Sequence, residues 1–185
     1  MNNDILDQAL DELDLQLTER SLNLQIVICG AYAIQLHGFA RNLHTLDVDS
    51  ITELNSPLVL DLIQSVGKKL GIGPSWLNDQ ASTVTLPPGI FERSQPLHKW
   101  KSLKASLISR SDLICMKASA FSIRREVTNK DWEDLELLKP TQSEIKSAIE
   151  FLIQTQSPPA GASPKIKSEF QETLDDLKKL VMSID

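Results

Sequence analysis

The chain has 185 residues, 41% hydrophobic and 24% charged, with a formal net charge of −6 and a pI near 5.1. This length and balance fit one globular domain with a helical appendage, and they exclude a chain too small to fold without disulfides or metal. No apolar run reaches the roughly 20 residues of a membrane span. The acidic, amphipathic N-terminus is unlike a targeting peptide, so we expect a cytoplasmic protein.

The cysteines and the charges narrow the class of protein further. Cys29 and Cys115 lie in apolar runs without CxxC or metal-ligand spacing, which predicts small buried side chains in a reducing compartment. An acidic protein is a poor non-specific ligand for nucleic acid. Residues 93–125 are nevertheless rich in basic residues, and they form the one candidate face for RNA.

The first half of the chain alternates helix and strand signals. Leucines and isoleucine among acids predict an amphipathic N-terminal helix, and a β-branched apolar run ending in Gly30 predicts a buried strand. Glycines mark the ends of two further helices. We expect a helix over 3–20, a strand over 22–30, a short helix over 31–38, a strand over 45–51, a helix over 56–70 and a strand over 82–86.

The second half contains one more strand and then helices only. We expect a strand over 104–109, a helix over 110–126 with Ser111 as its cap, two helices separated by Pro140, and a C-terminal amphipathic helix. Residues 157–165 are rich in Pro, Ala and Ser, which is typical of a linker. The predicted fold class is therefore α/β (α+β), a small mixed sheet with a helical C-terminal half. The predicted organisation is a domain over 1–156, a linker over 157–165 and the final helix over 166–185.

Two carboxylates follow the first predicted strand in a pattern that suggests chemistry. Asp47 and Asp49 lie two positions apart in the next strand, so their side chains project from the same face. Paired carboxylates repel unless a cation lies between them, and oxygen donors suit Mg²⁺. Roughly three such acid pairs are expected by chance in this composition. A metal site for phosphoryl transfer and a solvated acidic strand face are therefore both open interpretations.

Residues 29–51 resemble the first motif of the nucleotidyltransferase superfamily, especially its AbiEii-like toxin and related uncharacterised bacterial branch. The matching positions are, in order, Gly30, Ala33, Leu36, His37, Gly38, Arg41, Thr45, Asp47 and Asp49. A second block over 112–138 resembles the family's later motif at Lys117, Arg124 or Arg125, Lys130, Asp131 and Asp134. The two blocks together cover most of residues 24–138.

The resemblance implies a nucleotidyltransferase-like core and a metal-dependent activity. It implies Mg²⁺ bound by Asp47 and Asp49, which would be the catalytic residues, and transfer of a nucleotidyl group from an NTP to an acceptor hydroxyl on RNA or protein. The toxin-like branch also implies a toxin–antitoxin setting. The residues implied to contact the nucleotide are Gly30, Ala31, Arg41, Lys117 and Lys130.

Several positions depart from the pattern or have a structural explanation. Ala31 replaces the family's usual Gly or Ser, and the predicted strand 82–86 lacks the third carboxylate of active members, for which Asp79 is a substitute. Asn78 and Asp79 are also typical turn formers. Lys117 can equally extend to solvent, and Lys130 can belong to a charged helix start. The alternative function is a catalytically degenerate fold that binds a protein partner or a second copy of itself.

Overall fold

The computed structural model describes residues 4–40, 45–124 and 129–182. The chain forms two compact units, Met1–Ser109 and Arg110–Asp185. The first holds the whole sheet and the second contains helices only. The predicted α/β (α+β) class, with a small mixed sheet and a helical C-terminal half, is therefore confirmed. The predicted division at residues 156 and 165 stays a prediction.

The first unit is built around a five-stranded mixed sheet with strand order β3-β2-β1-β5-β4. Central strand β1 runs parallel to β5 and antiparallel to β2, β3 runs parallel to β2, and β4 runs antiparallel to β5. The strands are β1 (Leu24–Cys29), β2 (Val48–Ser50), β3 (Leu77–Asn78), β4 (Gln95–Leu97) and β5 (Leu103–Leu107), and the helices are α1 (Asp4–Glu19), α2 (Gly30–Leu36), α3 (Pro57–Leu70) and α4 (Ile90–Arg93).

Apolar periodicity explains why these elements form. Helix α1 buries a stripe at helical spacing that contacts α3 and β5. Strand β1 is buried at five of its six positions, as expected for a central strand with a parallel neighbour. The buried stripe of α1 consists of Leu6, Ala9, Leu10, Leu13 and Leu17.

A single carboxylate fastens α1 to the start of β5. Asp14 accepts hydrogen bonds from three consecutive backbone N–H groups, those of Lys101 (3.2 Å), Ser102 (2.7 Å) and Leu103 (2.8 Å). Lys101 and Ser102 lie in the turn before β5, and Leu103 is the first residue of that strand. Asp14 therefore provides an acceptor for backbone N–H groups at the start of β5.

The second unit consists of α5 (Arg110–Arg124), α6 (Lys130–Leu138), α7 (Gln142–Gln156) and α8 (Pro164–Met182). Helix α5 contacts the other three. Thr141 and Glu144 form a capping box at the start of α7. Glu144 also accepts two hydrogen bonds from the Arg110 guanidinium, which in turn donates to the carbonyl groups at the end of α6. This arginine ties the ends of three helices together.

The structure corrects three local predictions. Residues 82–86 form no strand: Gln80–Thr83 is a 3-10 helix and the residues that follow it are exposed. Their β-branched side chains have no sheet surface to pack on, and β-propensity depends on that surface. Strand β2 is shorter than predicted, so Asp47 precedes it. Ser111 lies inside the first turn of α5, because the helix begins at Arg110.

Other predictions are confirmed, and three elements were not anticipated, β3, α4 and β4. Cys29 and Cys115 are both buried and reduced. The helices predicted over 3–20, 31–38 and 56–70 are present, as are the strand at β1 and the helical second half. Helix α4 and strand β4 had no recognisable signal, being four and three residues long. None of the helices in the described ranges combines the length and the apolar character that a bilayer crossing demands.

Candidate functional site

The candidate site starts at Gly30, where β1 ends and α2 begins. Its φ of +67° is a left-handed conformation that glycine adopts at little cost. The register pairs the preceding residue, Cys29, with Asp49 on β2. A Cβ atom on Gly30 would collide with the Asp49 carboxylate, lying 2.9 Å from Cγ and closer still to Oδ2. Only glycine lets this side chain lie directly over the backbone at the end of β1.

Asp49 lies on β2 between the fully buried residues Val48 and Ser50 and is half-buried, whereas Asp47 precedes the strand and is exposed. Leu46, next to Asp47, is exposed as well, so the common face of the two carboxylates stays a prediction. Thr45 Oγ1 donates a hydrogen bond to Asp47 Oδ1. The site therefore presents one carboxylate held at the sheet and one at its open margin.

An amide occupies the position next to Asp49 on the neighbouring strand. Asn78 of β3 is the register partner of Asp49, and its Nδ2 donates to Asp49 Oδ1 at 3.1 Å. The Asn78 Oδ1 accepts from the backbone N–H of Gln80 at 3.2 Å. Sequence reasoning interpreted Asn78 as a turn former and missed this contact. The usable signal was the buried Trp76–Leu77 pair just before it, which marks a short strand.

Asp79, the candidate third carboxylate, binds a backbone N–H group. Its Oδ2 accepts a hydrogen bond from the Leu54 backbone N–H at 2.8 Å. It follows β3 and therefore lies outside the register pair formed by Asp49 and Asn78. Asp79 therefore has a structural contact, and its role as a third carboxylate stays a prediction.

The remaining nucleotide-contact candidates divide into three groups. Ala31 is buried in the first turn of α2, directly after Gly30. Arg41 lies outside the described residues. Lys117 and Lys130 belong to the helical unit, where Lys130 is the exposed first residue of α6. Phosphate contacts by these residues stay predictions.

Lys117 has two buried carboxylate partners. Its Nζ lies 2.7 Å from Asp134 Oδ2 and 3.3 Å from Asp131 Oδ1, and both aspartates are 2% exposed. The guanidinium of Arg124 pairs with the other oxygen of Asp131 at 2.7 Å. The predicted block of basic and acidic residues over 112–138 is therefore assembled in space as an ion cluster between α5 and α6.

Four basic residues of the stretch 93–125 pair with acids from other elements. Besides Lys117 and Arg124 in the cluster just described, Lys99 pairs with Asp11 at 3.1 Å, and Arg110 pairs with Glu144 at 2.7 Å. Trp100 donates its indole N–H to Asp11, and Lys99 Nζ lies over its ring. These contacts weaken the case for an RNA-docking face in this stretch.

His37 also has a structural contact. His37 ends α2, and its Nε2 lies 2.9 Å from the Ile108 carbonyl oxygen, a contact that ties the helix end to the chain after β5. Within residues 4–40, 45–124 and 129–182, no group of three or more His, Cys, Asp or Glu side chains is arranged to hold a metal ion. Asp47 and Asp49 stay the predicted cation ligands, and their oxygen donors are of the kind that Mg²⁺ takes together with substrate phosphates.

A buried strand that ends in a left-handed glycine, with acids on its antiparallel neighbour, is the arrangement expected of a nucleotidyltransferase-like core. The chain matches the family described as nucleotidyltransferase of unknown function (DUF6036) over residues 5–145, and it belongs to that family. The match spans the whole sheet and continues through α6 to the start of α7. It supports the nucleotidyltransferase superfamily, and the narrower AbiEii-like resemblance stays a prediction.

Comparison with curated proteins and with solved structures gives no match. The family and the geometry of the site are therefore the two findings on which a function can be argued.

Proposed function

We propose that this protein transfers a nucleotidyl group from an NTP to an acceptor hydroxyl. The supporting observation is the Asp49 carboxylate, which lies over the glycine backbone at the end of β1. Asp47, two residues before it, is exposed and is proposed to project to the same side. Family membership supplies the class of reaction. The acceptor oxygen would attack the α-phosphorus and lose its proton, while the bond from that phosphorus to the bridging oxygen breaks and pyrophosphate leaves.

Asp47 and Asp49 are the proposed ligands of a divalent cation, Mg²⁺ by its preference for oxygen. When bound there, the cation would neutralise phosphate charge during transfer. Gly30 and Ala31 present small residues where the phosphates would approach the backbone. Arg41, Lys117 and Lys130 are further proposed phosphate contacts, although the buried partners of Lys117 favour a structural role for that lysine. The acceptor is proposed to be RNA or protein, in a toxin–antitoxin setting if the AbiEii-like resemblance is correct.

The test compares Asp49→Asn with Asp61→Asn, an equivalent change at an exposed position of α3. NTP and Mg²⁺ together should stabilise the wild type and the Asp61 variant by about 2.7 kcal/mol at a hundred times the dissociation constant. That corresponds to a rise in Tm of roughly 5–10 °C for a chain of this size. Asp49→Asn should lose this rise, and transfer of label from an α-labelled NTP should fall about a hundredfold or more. An unchanged response in Asp49→Asn would refute the assigned site.

The second candidate function is a degenerate nucleotidyltransferase fold that binds a protein partner or a second copy of itself. It is favoured by the amide of Asn78 beside Asp49 and by the engagement of Asp79 with the Leu54 backbone. In that case no NTP would change the Tm, with or without Mg²⁺. A stable oligomer in light scattering, or a defined complex with a purified partner, would then support the binding function.

A further inference from the structure

The orientation of the Asn78 amide is determined at both ends. Its Nδ2 donates to Asp49 Oδ1, and an ionised carboxylate can only accept hydrogen bonds. Its Oδ1 accepts from the Gln80 backbone N–H, which can only donate. A flipped amide would place its carbonyl against the carboxylate and its NH₂ against the N–H, creating two repulsive contacts in place of two hydrogen bonds. Asn78 therefore presents a donor to Asp49.

This orientation has a consequence for the charge of the site. A carboxylate at position 78 could still accept from Gln80, but it would stand about 3 Å from Asp49, where two negative charges repel strongly without a cation between them. Asparagine supplies the hydrogen bond without the charge. The proposed site therefore carries the negative charge of two carboxylates, Asp47 and Asp49, with none added at position 78.

Mg²⁺ in proteins is commonly held by one or two carboxylates together with substrate phosphates and waters. We propose that Asn78 is a positioning residue that orients Asp49 and keeps the site at two carboxylates, so that the divalent cation binds as its complex with a nucleoside triphosphate and not as the free ion. This inference rests on the proposed function. It adds that the cation binds as its complex with a nucleoside triphosphate and that Asn78 is responsible for this preference.

The experiment measures Mn²⁺ binding by electron paramagnetic resonance, with and without an equimolar mixture of the four NTPs. The wild type should bind free Mn²⁺ weakly and bind it well when NTP is present. Asn78→Asp should bind free Mn²⁺ about tenfold or more tightly than the wild type, because a third carboxylate then faces the ion. Asn55→Asp is the matched control, since the Asn55 amide also donates to a carboxylate, that of Glu53, on the exposed surface.

Equal affinity of Asn78→Asp and Asn55→Asp for free Mn²⁺ would overturn the inference, and so would tight binding of free Mn²⁺ by the wild type. If Asn78→Asp does not fold, Asn78→Leu removes the donor without adding charge. It should then weaken binding of the Mn²⁺–NTP complex several-fold while the circular dichroism spectrum stays unchanged, and unaltered affinity would contradict the inference. Asp49→Asn separates the two proposals: if it leaves Mn²⁺–NTP binding intact, the proposed function itself fails.

Discussion

At the scale of single residues, Gly30 combines a left-handed backbone with a close neighbour at the position of a Cβ atom. Its φ is +67°, and the space next to its Cα is filled by the Asp49 carboxylate. Gly71, at the end of α3, has nearly the same φ of +70° but nothing within 4 Å of an added Cβ. Comparison of the two positions separates backbone strain from displacement of Asp49.

Gly30→Ala should therefore destabilise the protein more than Gly71→Ala does. A left-handed conformation costs a non-glycine residue about 1–3 kcal/mol at either position, and Gly30→Ala adds the collision with Asp49. Urea unfolding of both variants measures the difference. A similar loss in the two proteins would show that Asp49 moves aside without cost and does not depend on Gly30 for its place.

Asp14 shows how one carboxylate responds to its surroundings. Burial by itself would raise the pKa of Asp14, but the backbone N–H groups of Leu103, Ser102 and Lys101 outweigh that effect and hold its pKa below the usual value. A carboxyl whose pKa is lower in the folded state stabilises the protein fully above its unfolded pKa, near 3.9. This contribution is lost as the pH falls through the lower, folded value.

Asp14→Asn should accordingly lower the free energy of unfolding by about 1–3 kcal/mol at neutral pH, since it removes charge-assisted hydrogen bonds. The difference from the wild type should shrink as the pH falls below about 3.9, the unfolded pKa, and disappear once the pH is below the lower pKa of the folded state. Thermal melts between pH 7 and pH 2.5 test this. A difference that does not change with pH would mean that shape, and not charge, fastens α1 to the start of β5.

At the scale of secondary-structure elements, the ion cluster holds α5 against α6. Lys117 on α5 has a side chain only 12% exposed, and its two aspartate partners on α6 are 2% exposed. Removing one partner of a buried pair leaves uncompensated charge, which usually costs about 3–5 kcal/mol. The cluster thus accounts for the acidic and basic motif of residues 112–138 by packing alone.

Lys117→Met should destabilise the protein by about 3 kcal/mol, whereas Lys146→Met, which removes an exposed pair within α7, should have little effect. Adding Asp134→Asn to Lys117→Met should recover part of the loss, because one buried charge then disappears. Guanidinium unfolding gives these values. If Lys117→Met keeps its stability but loses NTP binding, the phosphate-contact interpretation of Lys117 is correct and the structural one is wrong.

At the scale of the whole molecule, charge is balanced locally. The net charge is −6, and four basic residues of the stretch 93–125 have acidic partners on α1, α6 and α7, namely Lys99, Arg110, Lys117 and Arg124. An RNA acceptor would therefore have to be recognised through limited contacts, since broad electrostatic attraction needs uncompensated cations. A small hydroxyl-bearing or protein acceptor fits this charge pattern as well as RNA does.

The elements of the fold were predictable where the signal is local. The apolar spacing of α1 and α3, the β-branched run of β1 and the Gly30 that ends it are determined by residues within a few positions of each other. The acid pair is likewise a local feature of the sequence, and its common face stays a prediction. The family match over residues 5–145 covers both blocks of the resemblance, 29–51 and 112–138.

Tertiary structure decided the contacts between distant residues. The sequence by itself predicted a shared face for Asp47 and Asp49, but it could not show that residue 78, 29 positions after Asp49, pairs with Asp49, or that residues 82–86 have no sheet to join. Nor could it show that Lys117 is enclosed by two aspartates. Strand register and ion pairing depend on which segments pack together, and that choice is made by the burial of the whole core.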